Sequence, residues 1–145
     1  MHGLLLPTEW LVAALAATVA VLVGLTFVRR RTIARGEPLV VCAVREDGAS
    51  RWNVGLARYG ASGLDWFTLG GMSLRPSRHW QRTRLEIGPP RLLAPEDQLA
   101  VLPDAVAVAC RCNDVAFDLA LSPGPYTALR SWLEASPPGF NVNVA

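Results

Sequence analysis

The chain has 145 residues, a mass of 15.7 kDa and a formal net charge of +2. Its 14 Lys+Arg residues are all arginine, which excludes Schiff-base chemistry and the lysine of a phosphate-binding P-loop. Two histidines, His2 and His79, are too few for a multi-histidine metal site, and so small a net charge makes no case for nucleic acid.

Hydrophobic residues form 51% of the chain and are unevenly spread. Leu11 to Val28 is a run of 18 residues without a charge, broken only by Thr18, Gly24 and Thr26. As a helix it would span about 27 Å, close to the hydrocarbon thickness of a bilayer. Trp10 stands at one end, where interfacial aromatics belong, and Arg29, Arg30, Arg31 and Arg35 stand at the other. A signal peptide carries its positive charges before the apolar run; here they follow it. The run therefore predicts a transmembrane helix, with the N-terminus outside and the rest of the chain in the cytoplasm. Residues 1–36 carry four arginines against Glu9; the remainder carries ten arginines against eleven acids. The expected division is a short external segment (1–9), a spanning helix (10–28), a basic membrane-proximal linker (29–37), a cytoplasmic domain (38–137) and a flexible tail (138–145).

Beyond the linker, strand signals dominate. Leu39–Val44 is a β-rich run that ends at the Glu46-Asp47-Gly48 turn. Trp52, Val54 and Leu56 share one face of a second strand, with small or polar residues opposite. Gly60-Ala61-Ser62-Gly63 turns the chain into Leu64–Leu69, and Gly70-Gly71 ends that strand. From Met72 to Ile87 arginines alternate with Leu74, Trp80 and Leu85, and Gly88-Pro89-Pro90 is expected to interrupt the stretch. Pro95-Glu96-Asp97 suits the start of a single helical turn. Val106, Val108, Cys110 and Cys112 alternate on one strand and Val115, Phe117, Leu119 and Leu121 on the next, with Asn113-Asp114 as the turn. The last element reads as an amphipathic helix, with Tyr126, Leu129, Trp132 and Leu133 on its apolar face and Pro137-Pro138-Gly139 as its stop.

A one-sided helix after seven strands must bury its stripe on them. The predicted fold is a mainly-β domain, an open barrel of about seven antiparallel strands capped by the C-terminal helix, with Trp132 at the centre of the plug. The element order resembles the pleckstrin-homology-like fold; a small open α+β sheet is the other arrangement that fits. Cys42, Cys110 and Cys112 sit in apolar runs and read as small core residues in a reducing compartment.

The anchor ending in Arg29-Arg30-Arg31, the Leu64-Asp65-Trp66-Phe67 strand, the Ser73-Leu74-Arg75-Pro76-Ser77-Arg78 segment and the Leu129–Gly139 ending together resemble an uncharacterised actinobacterial family of short single-pass membrane proteins. The resemblance covers nearly the whole chain and transfers topology, with no catalytic residues. Its members are often encoded beside F-type ATP synthase genes, which implies a connection with energy-coupling membranes.

No catalytic or cofactor-binding constellation is legible, and neither a cofactor nor a metal is expected. His79 lies between Arg78 and Trp80 and reads as a surface strand residue; Asp65, Glu86 or Asp118 could orient it, and spacing selects none. The most distinctive polar feature is a strip of arginines, Arg75, Arg78, Arg82, Arg84 and Arg91, a candidate site for anionic lipid headgroups or an acidic protein partner. The first hairpin offers Arg45, Arg51 and Arg58, but Glu46 and Asp47 intervene, unlike the basic hairpins of phosphoinositide-binding pleckstrin domains. In the helix, Ala13, Ala16, Ala17, Ala20 and Gly24 form a small-residue stripe suited to close helix packing. Two functions follow as expectations: a non-enzymatic, membrane-anchored interaction module that binds a membrane-protein partner or anionic lipid, or a structural assembly subunit of a larger membrane complex.

Overall fold

The structure is a computed structural model and describes residues 5–34, 36–71 and 73–135. The chain divides into two compact units at Arg35/Gly36. Arg35 and the tail assigned to 138–145 lie outside the described residues.

The first unit is one α-helix, α1 (Leu5–Ala34), longer at both ends than the apolar run. Every side chain from Thr8 to Val28 is exposed, and the apolar ones occupy all sides of the helix rather than a stripe. The few hydroxyls are satisfied internally. Thr18 donates to the Ala14 carbonyl at 2.8 Å, and Thr26 to the Leu22 carbonyl at 3.0 Å. Such back-bonding satisfies these hydroxyls without water. The stretch Thr8–Ala34 is long and apolar enough to cross a membrane.

The second unit is a seven-stranded antiparallel sheet followed by a helix. Its strands are β1 (Leu39–Glu46), β2 (Asn53–Tyr59), β3 (Gly63–Thr68), β4 (Arg78–Gln81), β5 (Leu85–Leu92), β6 (Val106–Cys112) and β7 (Val115–Leu121). The order across the sheet is β4-β3-β2-β1-β7-β6-β5, so β1 joins two meanders and the edges β4 and β5 stay open. This is the open antiparallel half-barrel that the hydrophobic patterning predicts, closed by α2 (Pro123–Glu134).

The alternation in β6 and β7 holds in register. Cys110 pairs with Phe117, Val108 with Leu119 and Val106 with Leu121. These residues and those beside them on β1 face one interior together with Leu64, Trp66 and Trp80. Trp80 of edge strand β4 stacks on Phe117 of β7, with centroids 4.3 Å apart, which ties the two meanders across that interior. Asn113 takes φ +55 at the β6–β7 turn, a value that asparagine tolerates better than most residues.

Two expectations are corrected, and one face is assigned. The small-residue face of β2, not the Trp52-Val54-Leu56 face, points at the helix-covered interior. Gly55 lies there with Ala57 because the Trp66 indole fills the space. A Cβ at Gly55 would stand 2.6 Å from that ring and 2.3 Å from the Phe67 carbonyl oxygen. Trp52 and Val54 pack instead into a second apolar cluster with Leu99 and Leu102, on the far face of the sheet. Next, Gly88-Pro89-Pro90 does not end a strand. β5 runs through it with a register shift between Ile87 and Pro90, and an edge strand tolerates the missing N–H groups. Last, the centre of the plug is Leu129, fully buried, whereas Trp132 is half-buried at the rim. The indole N–H needs an acceptor, and it finds the Gly60 carbonyl at 3.0 Å at the β2–β3 turn.

Several contacts hold α2 in place. The Tyr59 hydroxyl donates to the Pro125 carbonyl at 3.2 Å, and the Tyr59 and Trp132 rings lie 5.6 Å apart. Arg82 lies over the Trp132 ring at 4.9 Å and donates to the Trp132 carbonyl. It thus serves one of the last carbonyls of the helix, which have no partner within it. Pro123 and Pro125 sit in the first turn, where a missing N–H costs nothing.

Leu129→Ala should cost about 2–5 kcal/mol, because the cavity would open where sheet and helix meet. Urea unfolding of the detergent-solubilised full chain measures it; a loss within about 0.5 kcal/mol, the range of ordinary surface substitutions, would contradict this packing.

Candidate functional site

The five arginines of the strip do not converge. Their side chains are drawn to different partners on different elements. Arg75 is exposed in the β3–β4 connection, where its backbone N–H bonds the Ser73 hydroxyl. Arg78 pairs with Glu46 of β1. Arg82 is engaged with Trp132, and Arg84 donates to the Asn113 side chain at 3.0 Å. Arg91 binds Asp118 at 2.7 Å.

Of the membrane-proximal cluster, Arg30 and Arg31 are exposed and Arg29 is half-buried on the last turns of α1. The small-residue stripe Ala13, Ala16, Ala17, Ala20 and Gly24 is exposed, and a Cβ at Gly24 would meet nothing within 4 Å.

Two charged networks lie on the sheet face away from α2. In the first, Arg45 of β1 binds Asp118 of β7 at 2.8 Å and Asp97 at 3.0 Å, and Arg91 adds to Asp118. The Arg45 guanidinium also lies over the Trp52 ring at 4.4 Å. The hydrogen bond that Arg45 donates to Asp118 raises its pKa further, against a smaller opposing effect of burial. Arg45 thereby clamps the Pro95–Asp97 turn onto the sheet, over the second apolar cluster.

The second network is a row across three strands, since Arg58 pairs with Asp65, and Asp65 with His79, in the β-ladder. Arg58 binds Asp65 at 2.5 Å and Glu37 at 3.5 Å, and His79 Nδ1 lies 2.6 Å from Asp65 Oδ1. Burial alone would raise the Asp65 pKa. Hydrogen bonds from His79 and Arg58, with their charges, outweigh it and hold the carboxyl below its ordinary value. A Cβ at Gly63 would stand 2.7 Å from His79 Cε1 and 2.3 Å from the Trp80 carbonyl oxygen, so only glycine lets β4 and the imidazole approach so closely. Of the three carboxylates that could have oriented His79, the fold selects Asp65. Half of this row was legible: Arg58 and Asp65 lie symmetrically about Ala61-Ser62, the mark of a cross-strand ion pair in a hairpin.

The three thiols are free and buried. Burial pushes Cys42 up to about 12 and pushes Cys110 up to about 12 as well. Among the described residues no group of three or more His, Cys, Asp or Glu is placed to hold a metal ion.

An exposed apolar helix followed by an antiparallel half-barrel whose polar residues are largely spent on internal pairing defines a helix-plus-β-domain protein. Residues 16–139 match the family model described as Protein of unknown function (DUF2550), and the chain belongs to that family. It is 31% identical over 96 residues to two proteins of Mycobacterium tuberculosis, Uncharacterized protein MT1352 of strain CDC 1551 / Oshkosh and Uncharacterized protein Rv1312 of strain ATCC 25618 / H37Rv. The aligned stretch covers 62% of this chain and 64% of each relative. No solved structure matches the chain.

Asp65 gives a test of the second network. A carboxyl whose pKa is lower in the folded than in the unfolded chain adds stability above the ordinary carboxylate range, and that stability is lost as pH falls through the folded value. The unfolding midpoint should therefore drop below about pH 4. Asp65→Asn should flatten that dependence and lower stability at pH 7. Unfolding curves across pH that are the same shape in both chains would contradict the pairing.

Proposed function

We propose that this protein is a non-enzymatic, membrane-anchored interaction module, in which α1 tethers a pleckstrin-homology-like half-barrel to the cytoplasmic face of the cell membrane. The observation that carries the reading is the surface of α1: apolar on all sides, exposed from Thr8 to Val28, with its arginines only after the apolar run. That charge order supports a retained anchor over a cleaved signal sequence, with the domain on the cytoplasmic side. The strand order and the C-terminal helix support the pleckstrin-like comparison. Tethering holds the domain at an effective concentration on the order of mM for membrane-bound partners, so weak contacts suffice. The ligand is a membrane-protein partner or anionic lipid.

A second reading rests on the stripe of Ala13, Ala16, Ala17, Ala20 and Gly24. Open space around Gly24 suits close approach of another helix. On this reading the chain is an assembly subunit of a larger membrane complex. An energy-coupling complex fits the gene neighbourhood that the family resemblance implies.

Replacing residues 11–28 by an unrelated transmembrane sequence separates the two. A tether should keep the chain in the membrane with its crosslinked partners unchanged; partners lost while the chain stays membrane-bound would select assembly. Turnover by the full chain that His79→Ala abolishes would contradict both.

A further inference from the structure

We propose that the groove between β5 and α2 is a docking site for the chain's own residues 140–144, which lie along the open edge of the sheet. The proposal concerns the half-barrel and the segment after it, and it is independent of the tether reading.

The groove has a volume of about 380 Å³ and is built from two elements. Ile87, Pro89 and Pro90 of β5 form one wall. Tyr126 and Leu133 of α2 form the other, and the helix follows the groove as far as Glu134, about 12 Å along its axis. Ile87, Tyr126 and Leu133 pack against the interior but are only partly buried, so each leaves apolar surface in the groove. β5 is also the last strand of the sheet, and among the described residues no strand pairs with its outer side. An unpaired edge beside apolar side chains is a template for one more extended segment.

The sequence supplies such a segment where the groove begins. Residues 136–145 lie outside the described residues. Phe140, Val142 and Val144 alternate with Asn141 and Asn143, the period of a half-buried strand. α2 ends at Glu134, which itself lines the groove. From there to Phe140 the chain can reach at most about 20 Å, more than the length of the groove. Pro138-Gly139 is a turn signal that can send it back along β5.

Charge agrees with this occupant. Residues 136–145 have no charged side chain. The charged groups of the groove, Arg130 and Glu134, bind each other at 2.9 Å. An uncharged apolar segment therefore enters without leaving a lone charge short of water. Pro89 and Pro90 have no N–H to offer, so backbone pairing is confined to residues 85–88 and the contacts beyond are apolar. Attachment at the rim gives the segment an effective concentration on the order of mM, so an affinity of ~0.1 mM closes the groove about ten-fold over open. A partner that adds a strand to this edge must first displace it.

Hydrogen–deuterium exchange of the full chain in detergent micelles tests the proposal, with Phe140→Ser/Val142→Ser as the variant. Amides of residues 85–88 should exchange about ten-fold faster in the variant, equally at every protein concentration, with protection of β7 unchanged as the control for folding. Deletion of residues 140–145 should give the same acceleration. Equal exchange in all three chains would overturn the proposal. A difference that fades on dilution would assign the groove to a second copy's segment and overturn it as well. Either result would leave the tether reading standing.

Discussion

A helix with apolar side chains on every side has no face to turn toward water, and this constraint governs the molecule. An amphipathic helix can bury one stripe against its own domain, as α2 does through Leu129. α1 has no such stripe. Its side chains are exposed from Thr8 to Val28, its threonine hydroxyls bond back to its own carbonyls, and its arginines lie only past the apolar run. A hydrocarbon environment satisfies all of this at once, and in the proposed reading the bilayer supplies it.

The half-barrel solves its own problem without help from a ligand. Seven antiparallel strands with open edges leave an apolar hollow, and one helix of twelve residues fills it. The arginines then act mostly as fasteners. Arg82 holds the end of α2, Arg45 holds the Pro95–Asp97 turn, and Arg58 ties β2 to β3. Arginine suits such posts because its fork reaches two acceptors and its plane lies over aromatic rings, as Arg45 does with Asp97, Asp118 and Trp52.

Much of this was legible in the residues. The alternation from Val106 to Leu121 and the Asn113-Asp114 turn specify a hairpin, and the pairs of the ladder follow. The helical spacing of Tyr126, Leu129 and Leu133 specifies the cap. Periodicity says which residues share a face but not which face turns inward. In β2 the bulky face lost to the small one, because Trp66 from the neighbouring strand already occupied the space above Gly55. The arginine strip illustrates the other limit. Arg75 to Arg91 read as one cluster along the chain, yet Arg78, Arg82, Arg84 and Arg91 are each held by a different partner. The same folding brought Arg45, Asp97 and Asp118 together from distant positions, which no local pattern could announce.

The most direct measurement on the central claim is the intact mass of the mature chain from native membranes, combined with its protease sensitivity in whole and opened cells. A retained anchor gives a membrane-bound chain that still includes residues 11–28, with the half-barrel cleaved only after the cells are opened. A soluble chain that begins after α1, or a half-barrel cleaved from outside intact cells, would contradict it.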